Sequence, residues 1–233
     1  MNKKLKDMAI HAFVRSYAKK GPLQNFFVFG YGSLMYPSGV NGRGMDYYYD
    51  WDSLKLARLK GYKRGMYAGH SIVSYYGILP CEDKEHTING ILMKIHTGYD
   101  LAAFLLSEGT ANIYKILFGD TMYDLVDVTE HTLPYEKLDL PKGSKVHTLV
   151  CDKDHGKGRD PYPGYQERVW QGIHIWGKEF SEEFLQTGGV NPFIVRKRRG
   201  KNRNRSTRKW GDAFSGIRGT RTQSVHSRRN TER

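Results

Sequence analysis

Cysteine is nearly missing from this chain: Cys81 and Cys151, far apart in sequence, are the only two in 233 residues. That excludes a disulfide framework, and no C-x-x-C or Cys/His spacing suited to zinc is present. Thiols used so sparingly predict a reducing, cytoplasmic compartment. Long apolar runs are missing as well. No stretch approaches the roughly 20 residues that cross a bilayer, and no signal-peptide core is present, so a soluble chain without a membrane span is expected. The nine histidines are scattered without H-E-x-x-H or similar spacing, which leaves no metal to expect. CDKDHGKG, residues 151–158, lacks the remaining ligands of a calcium loop and reads as a turn. GYGSLM, residues 30–35, begins like a dinucleotide fingerprint, but Met35 stands where the third glycine belongs. No Gly-Lys-Ser/Thr follows for a P-loop. Ser33 also lacks the glycine two residues on that a nucleophile elbow requires. Neither a cofactor nor an acylating serine is expected.

Acidic residues are scarce at one end only. Residues 196–233 hold 14 Lys+Arg against Asp212 and Glu232, which leaves residues 1–195 with 23 basic and 22 acidic residues. The net charge of +13 therefore belongs to the tail, and the body is nearly neutral. Low hydropathy with dense like charge predicts that residues 196–233 form a disordered basic tail. Its cations, with Trp210 and Phe214 interleaved, suit either simple solvation or contact with nucleic acid through phosphates and stacking. At the other end, Leu5, Met8, Ala9, Ala12, Phe13 and Tyr17 share one helical stripe among lysines. Residues 1–24 are accordingly expected as a basic amphipathic extension docked on the body, with a membrane-surface helix as the alternative.

Residues 25–195 form the expected domain. Strands are predicted at 26–29, 72–79, 88–95, 113–118 and 146–151. Residues 53–59 are short and amphipathic. Residues 100–107 read as a short helix with Leu101, Phe104 and Leu105 on one face and Gly109 as its stop signal. Residues 165–185 look helical in two pieces, broken near Gly172 and Gly177. Many strands with few, short helices indicate an α+β class, a small, partly closed mixed β-barrel flanked by short helices.

The turn after the first strand carries the chemistry. FFVF runs into Gly30 and Gly32, which permit positive φ and leave backbone N–H groups uncovered, a concavity suited to a carboxylate or a developing oxyanion. By itself this is also the look of a plain tight corner. FVFGYGSLM, however, resembles the YGSL signature of the gamma-glutamylcyclotransferase superfamily, which includes the AIG2-like and ChaC-like proteins. Further segments resemble that family in the same order: LARLKGYKRGM, INGILMKI, LAAFLLSEGTANIYKI and YQERVWQGIHIWGKEFSEEFL. Together they span residues 26–192.

The resemblance implies a catalytic glutamate at Glu108 and a carboxylate-binding turn at Tyr31, Gly32, Ser33 and Leu34, with pocket tyrosines at Tyr114 and Tyr165. It implies a gamma-glutamylcyclotransferase-like fold and a small γ-glutamyl amine or peptide as substrate. In the implied reaction the substrate's α-amino group attacks its own γ-carbonyl, giving 5-oxoproline and a free amine without cofactor or enzyme nucleophile. The chain departs from the family at Leu105-Leu106, where relatives carry an aspartate. Its spacing from Glu108 to Tyr114 resembles the gamma-glutamylamine branch. Glu108 suits a base-then-acid role on local grounds, because a helix C-terminus and apolar neighbours both favour a carboxyl group able to carry a proton. The rival expectation is a catalytically silent fold whose basic tail contacts nucleic acid. MDYYYDWDSL, residues 45–54, is either an insertion over the pocket or an ordinary packed loop.

Overall fold

The computed structural model describes residues 3–70, 72–110, 122–135 and 139–190. Contacts divide the chain into Met1–Arg198 and Arg199–Arg233. Residues 191–233 lie outside the described residues, and with them the tail expected to be disordered and to reach nucleic acid. The strand expected at 113–118 lies outside them too. Among the described residues no helix is long and apolar enough to cross a membrane.

The strands are β1 (Pro22–Gly30), β2 (Leu54–Lys60), β3 (Tyr62–His70), β4 (Val73–Pro80), β5 (Thr87–Thr97), β6 (Asp124–Asp127), β7 (Thr132–Pro134), β8 (Lys145–Val150) and β9 (Asp160–Pro161). The helices are α1 (Lys3–Ala18), α2 (Pro37–Asn41), α3 (Gly98–Ser107), α4 (Tyr165–His174) and α5 (Lys178–Gln186). A six-stranded sheet runs in the order β6-β8-β1-β5-β2-β7, and a three-stranded sheet in the order β3-β4-β9. Pairs β1/β8 and β4/β9 are parallel and the other pairs antiparallel. The α+β class holds, and among the described residues no closed barrel forms: β6 and β7 end the order of the larger sheet, and the β3–β4 hairpin pairs with β9. The sheets meet where the Cys151 N–H donates to the Ile78 carbonyl at 3.0 Å.

The unbroken apolar run of β1 is explained by its place. It lies between β5 and β8, and Phe27, Val28 and Phe29 are all buried. A strand covered on both faces has no use for polar alternation. Ile88, Ile91, Leu92 and Met93 of β5 and Leu59 of β2 complete the layer, so residues 53–59, amphipathic in sequence, are strand. Helix α1 docks with Phe13 and Tyr17 against the core, whereas Leu5 and Met8 of the same predicted stripe are exposed. Helices α4 and α5 part at Gly177. Gly172, expected as a second break, is inside α4, where it lets the Tyr36 ring press against the helix backbone. Residues 45–54 are mainly a packed loop. Tyr49 is fully buried with its hydroxyl on the Lys94 carbonyl and its backbone pairs with Asn41, while Tyr47, Tyr48, Asp46, Asp50 and Asp52 are exposed.

Candidate active site around Glu108

Glu108 owes its position to how α3 begins and ends. Thr97 caps the start, its hydroxyl accepting from the Asp100 N–H at 3.0 Å. The end is a Schellman motif: the Gly109 N–H donates to the Leu106 carbonyl and the Thr110 N–H to the Leu105 carbonyl. That motif needs a left-handed residue just past the cap, and Gly109 supplies it with φ +69°. The Thr110 hydroxyl adds a second bond to the Leu105 carbonyl. Buried Leu101, Phe104 and Leu105 anchor the helix, and Glu108, its C-cap residue, is held with its side chain only 12% exposed.

The glycine corner approaches from β1. Neither Gly30 nor Gly32 has a positive φ, contrary to expectation. Proximity, not backbone hand, is what excludes a side chain. A Cβ on Gly30 would lie 2.7 Å from Leu34 Cβ, and one on Gly32 would lie 3.0 Å from the Tyr165 hydroxyl and 3.1 Å from Tyr76 Cβ. After Gly32 the chain makes a 3₁₀ turn, Ser33–Met35, closed by the Met35 N–H on the Gly32 carbonyl. N–H groups that open such a turn have no acceptor within it. Helix α4 secures the far side of the turn, where Trp176 Nε1–H donates to the Met35 carbonyl at 2.7 Å.

The corner and the glutamate are joined by a residue that the sequence did not single out. Arg43 donates from Nη2 to Ser33 Oγ at 2.8 Å, and its Nε lies 2.7 Å from Glu108 Oε1. Nε and Oε1 are both buried, yet the N–H does not point at the oxygen, so this is a charge contact rather than an aligned hydrogen bond. The helix end and apolar neighbours of Glu108 are near it in sequence, whereas the Arg43 cation beside it is not. One signal was available: Arg43 is the only Lys or Arg between Lys20 and Lys55.

Tyrosines line the rest. Tyr31 is buried and donates its hydroxyl to the Leu149 carbonyl at 2.6 Å, so its ring belongs to the core and its backbone faces the turn. Leu34 is buried behind that turn, while Ser33 is partly exposed. Tyr165 opens α4 and packs edge-on to Tyr75 and tilted against Tyr76. Tyr123, which donates to the Tyr76 carbonyl, was not expected at the site. Burial holds the phenols of Tyr31, Tyr123 and Tyr165 well above their usual range, and the Glu108 charge pushes each the same way. Glu108 therefore shares its surroundings with Tyr31, Gly32, Ser33 and Tyr165. Tyr114 lies outside the described residues. No group of three or more potential metal ligands occurs among the described residues.

The fold and these residues describe an α+β chain in which Arg43 joins a glycine-rich corner to a helix-end carboxylate. No family model matches the chain, and no curated protein matches it either. Solved structures do. YkqA from Bacillus subtilis has a TM-score of 0.50 and 20% identity, covering 76% of this chain and 57% of that one. The chain thus spans little over half the length of YkqA. Gamma-glutamyl cyclotransferase has a TM-score of 0.43 and 18% identity, covering 74% of this chain and 96% of that one. An uncharacterized protein from Homo sapiens has a TM-score of 0.44 with the same identity and coverage. At 20% identity the likeness to YkqA is one of fold.

Proposed function

We propose that the protein is a gamma-glutamylcyclotransferase-type enzyme acting on a small γ-glutamyl amine or peptide. The observation that carries this is Arg43, which touches both the Glu108 carboxylate and the Ser33 hydroxyl of the Gly32–Leu34 turn. The substrate's α-carboxylate lies against the turn. Its α-ammonium yields a proton to Glu108, and the freed amine attacks the γ-carbonyl carbon. A carbon–nitrogen bond forms, closing the five-membered ring, and the bond to the leaving nitrogen breaks. Glu108 returns its proton to that nitrogen, and the second proton that the attacking amine sheds on becoming a ring amide follows it, so 5-oxoproline carboxylate and an ammonium leave with no net proton change.

Supporting this reading, one ionisable side chain able to cycle a proton is enough. The tyrosines around it are held neutral and serve as walls and hydrogen-bond donors. Holding amine and carbonyl at near-attack distance is worth up to about 7–11 kcal/mol of barrier in the limit of high effective molarity. Glu108→Gln keeps the shape and removes the proton carrier. The test is 5-oxoproline release from a panel of γ-glutamyl amines and dipeptides. The wild-type protein is expected to turn over at least one, and the folded variant to lose on the order of 10²–10⁴-fold in kcat, the usual share of acid–base catalysis. A variant that works like the wild type would sink the assignment.

A further inference from the structure

Two negative charges have to share the hollow if the cyclotransferase reading holds, which this inference rests on: the Glu108 carboxylate and the carboxylate of the substrate at the turn. In a partly desolvated site they repel each other unless a cation lies between them. Arg43 is placed for that. It follows α2, with its backbone N–H on the Val40 carbonyl. Its Nη2 is on Ser33 Oγ at the turn and its Nε is beside Glu108 Oε1. Its charge also reaches the phenols of Tyr36, Tyr123 and Tyr165, which groups it with the tyrosines around Glu108. The misaligned contact with Glu108 lets the guanidinium turn its fork toward a second anion at the expense of the Ser33 bond alone.

We infer that Arg43 is a specificity-determining residue whose guanidinium is shared between Glu108 and the incoming carboxylate, so that the site selects small molecules bearing a free carboxylate beside the reacting amine. A neutral carboxamide at the same position gains nothing from the cation and leaves Arg43 to Glu108 alone. Arg43→Gln removes the charge while keeping a donor for Ser33. Arg43→Lys keeps the charge and loses the fork.

The test reads binding apart from turnover. 5-Oxoproline and its carboxamide are titrated into the wild-type protein and both variants, with circular dichroism confirming that each is folded. Wild-type protein should prefer the carboxylate by roughly 10- to 100-fold, the range for a hydrogen bond to a charged group. Arg43→Gln should bring the two ligands within about 3-fold of each other, and Arg43→Lys should keep part of the preference. Wild-type protein that binds both equally or neither, or a preference undiminished in Arg43→Gln, overturns the inference. Release of 5-oxoproline from a γ-glutamyl amine is followed in parallel. No release with the preference intact removes the enzymatic reading and leaves Arg43 as an anion site. Release without the preference removes only the role of Arg43.

Discussion

Replacing Gly32 by alanine separates the role of the corner in catalysis from its role in folding. The new Cβ would lie 3.0 Å from the Tyr165 hydroxyl, 3.1 Å from Tyr76 Cβ and 3.8 Å from Tyr76 Cδ2, so its neighbours must yield by a few tenths of an ångström. Tyr76 is fixed by the Val190 N–H on its hydroxyl and by an edge contact with Phe184. The movement therefore falls on Tyr165 and on the turn itself. Overpacking of this kind costs about 1–3 kcal/mol, and the smaller unfolded-state entropy of alanine returns about 0.4–1 kcal/mol where the backbone accepts it. A net loss of about 1–2 kcal/mol lowers Tm by roughly 2–8 °C for a body of this size and leaves it folded at room temperature. Catalysis is more exacting. Misplacement approaching 1 Å costs about 10²-fold, so kcat/KM for 5-oxoproline release should fall roughly 10- to 100-fold. Thermal melting and the release assay are run on the same preparation. A clear drop in Tm with kcat/KM within about 2-fold of wild type would mean that the corner is architecture only. Gly32→Val should show both losses enlarged.

Three other outcomes follow from named groups. Tyr31→Phe deletes the buried bond to the Leu149 carbonyl at 2.6 Å and should cost about 1–3 kcal/mol in urea unfolding; a variant as stable as wild type would contradict the packing described. Burial holds His147, stacked on Phe26, and His96, stacked on Tyr47, below the usual imidazole range. Between that range, about 6.5, and their lower folded values, the unfolded chain binds the proton and the folded one does not. Tm should therefore fall as pH drops from 7 toward 5, and less so in His147→Phe, whereas a rise on acidification would contradict the assignment. Cys151 is buried, its thiol pushed up to about 12 by burial and the nearby Asp152, while Cys81 is partly exposed. A thiol reagent at pH 8 should label Cys81 alone until denaturant is added; prompt labelling of both would show that the seam beside Cys151 opens.

Local signals in the sequence were enough for most of the individual elements. The β1 run, the strand at β5 and the helix ending at Gly109 each follow from a pattern within about ten residues, and the helix-end position of Glu108 follows from the same stop signal. The exceptions depended on distant partners. Gly172 looks like a helix breaker until Tyr36, far away in sequence, is found against it. Gly30 and Gly32 looked like residues chosen for backbone hand, but the cause is Leu34, Tyr76 and Tyr165 crowding the corner. The amphipathic stripe of α1 was real in pattern, yet only its second half meets the core. Arg43 pairs across 65 residues of sequence to Glu108, and no periodicity encodes such a pairing. Barrel closure is not legible locally for the same reason, because the count of strands does not say how they pair.

The place where the two sheets touch has a consequence for how such a site could change over evolutionary time. A side chain on Gly77 would strike Cys151 Sγ at 2.6 Å and the Ala68 nitrogen at 2.8 Å, so this glycine sets how tightly the smaller sheet sits on the larger. Tyr76 and Ile78, on either side of it, take the Tyr123 hydroxyl and the Cys151 amide from across the junction. Widening that junction by one methyl group would press on Tyr76, which borders Gly32, and on Tyr123, whereas the contact between Arg43 and Glu108 is made by other segments. In the proposed enzyme, drift at Gly77 would therefore reshape the aromatic wall beside the corner before it touched the charged pair.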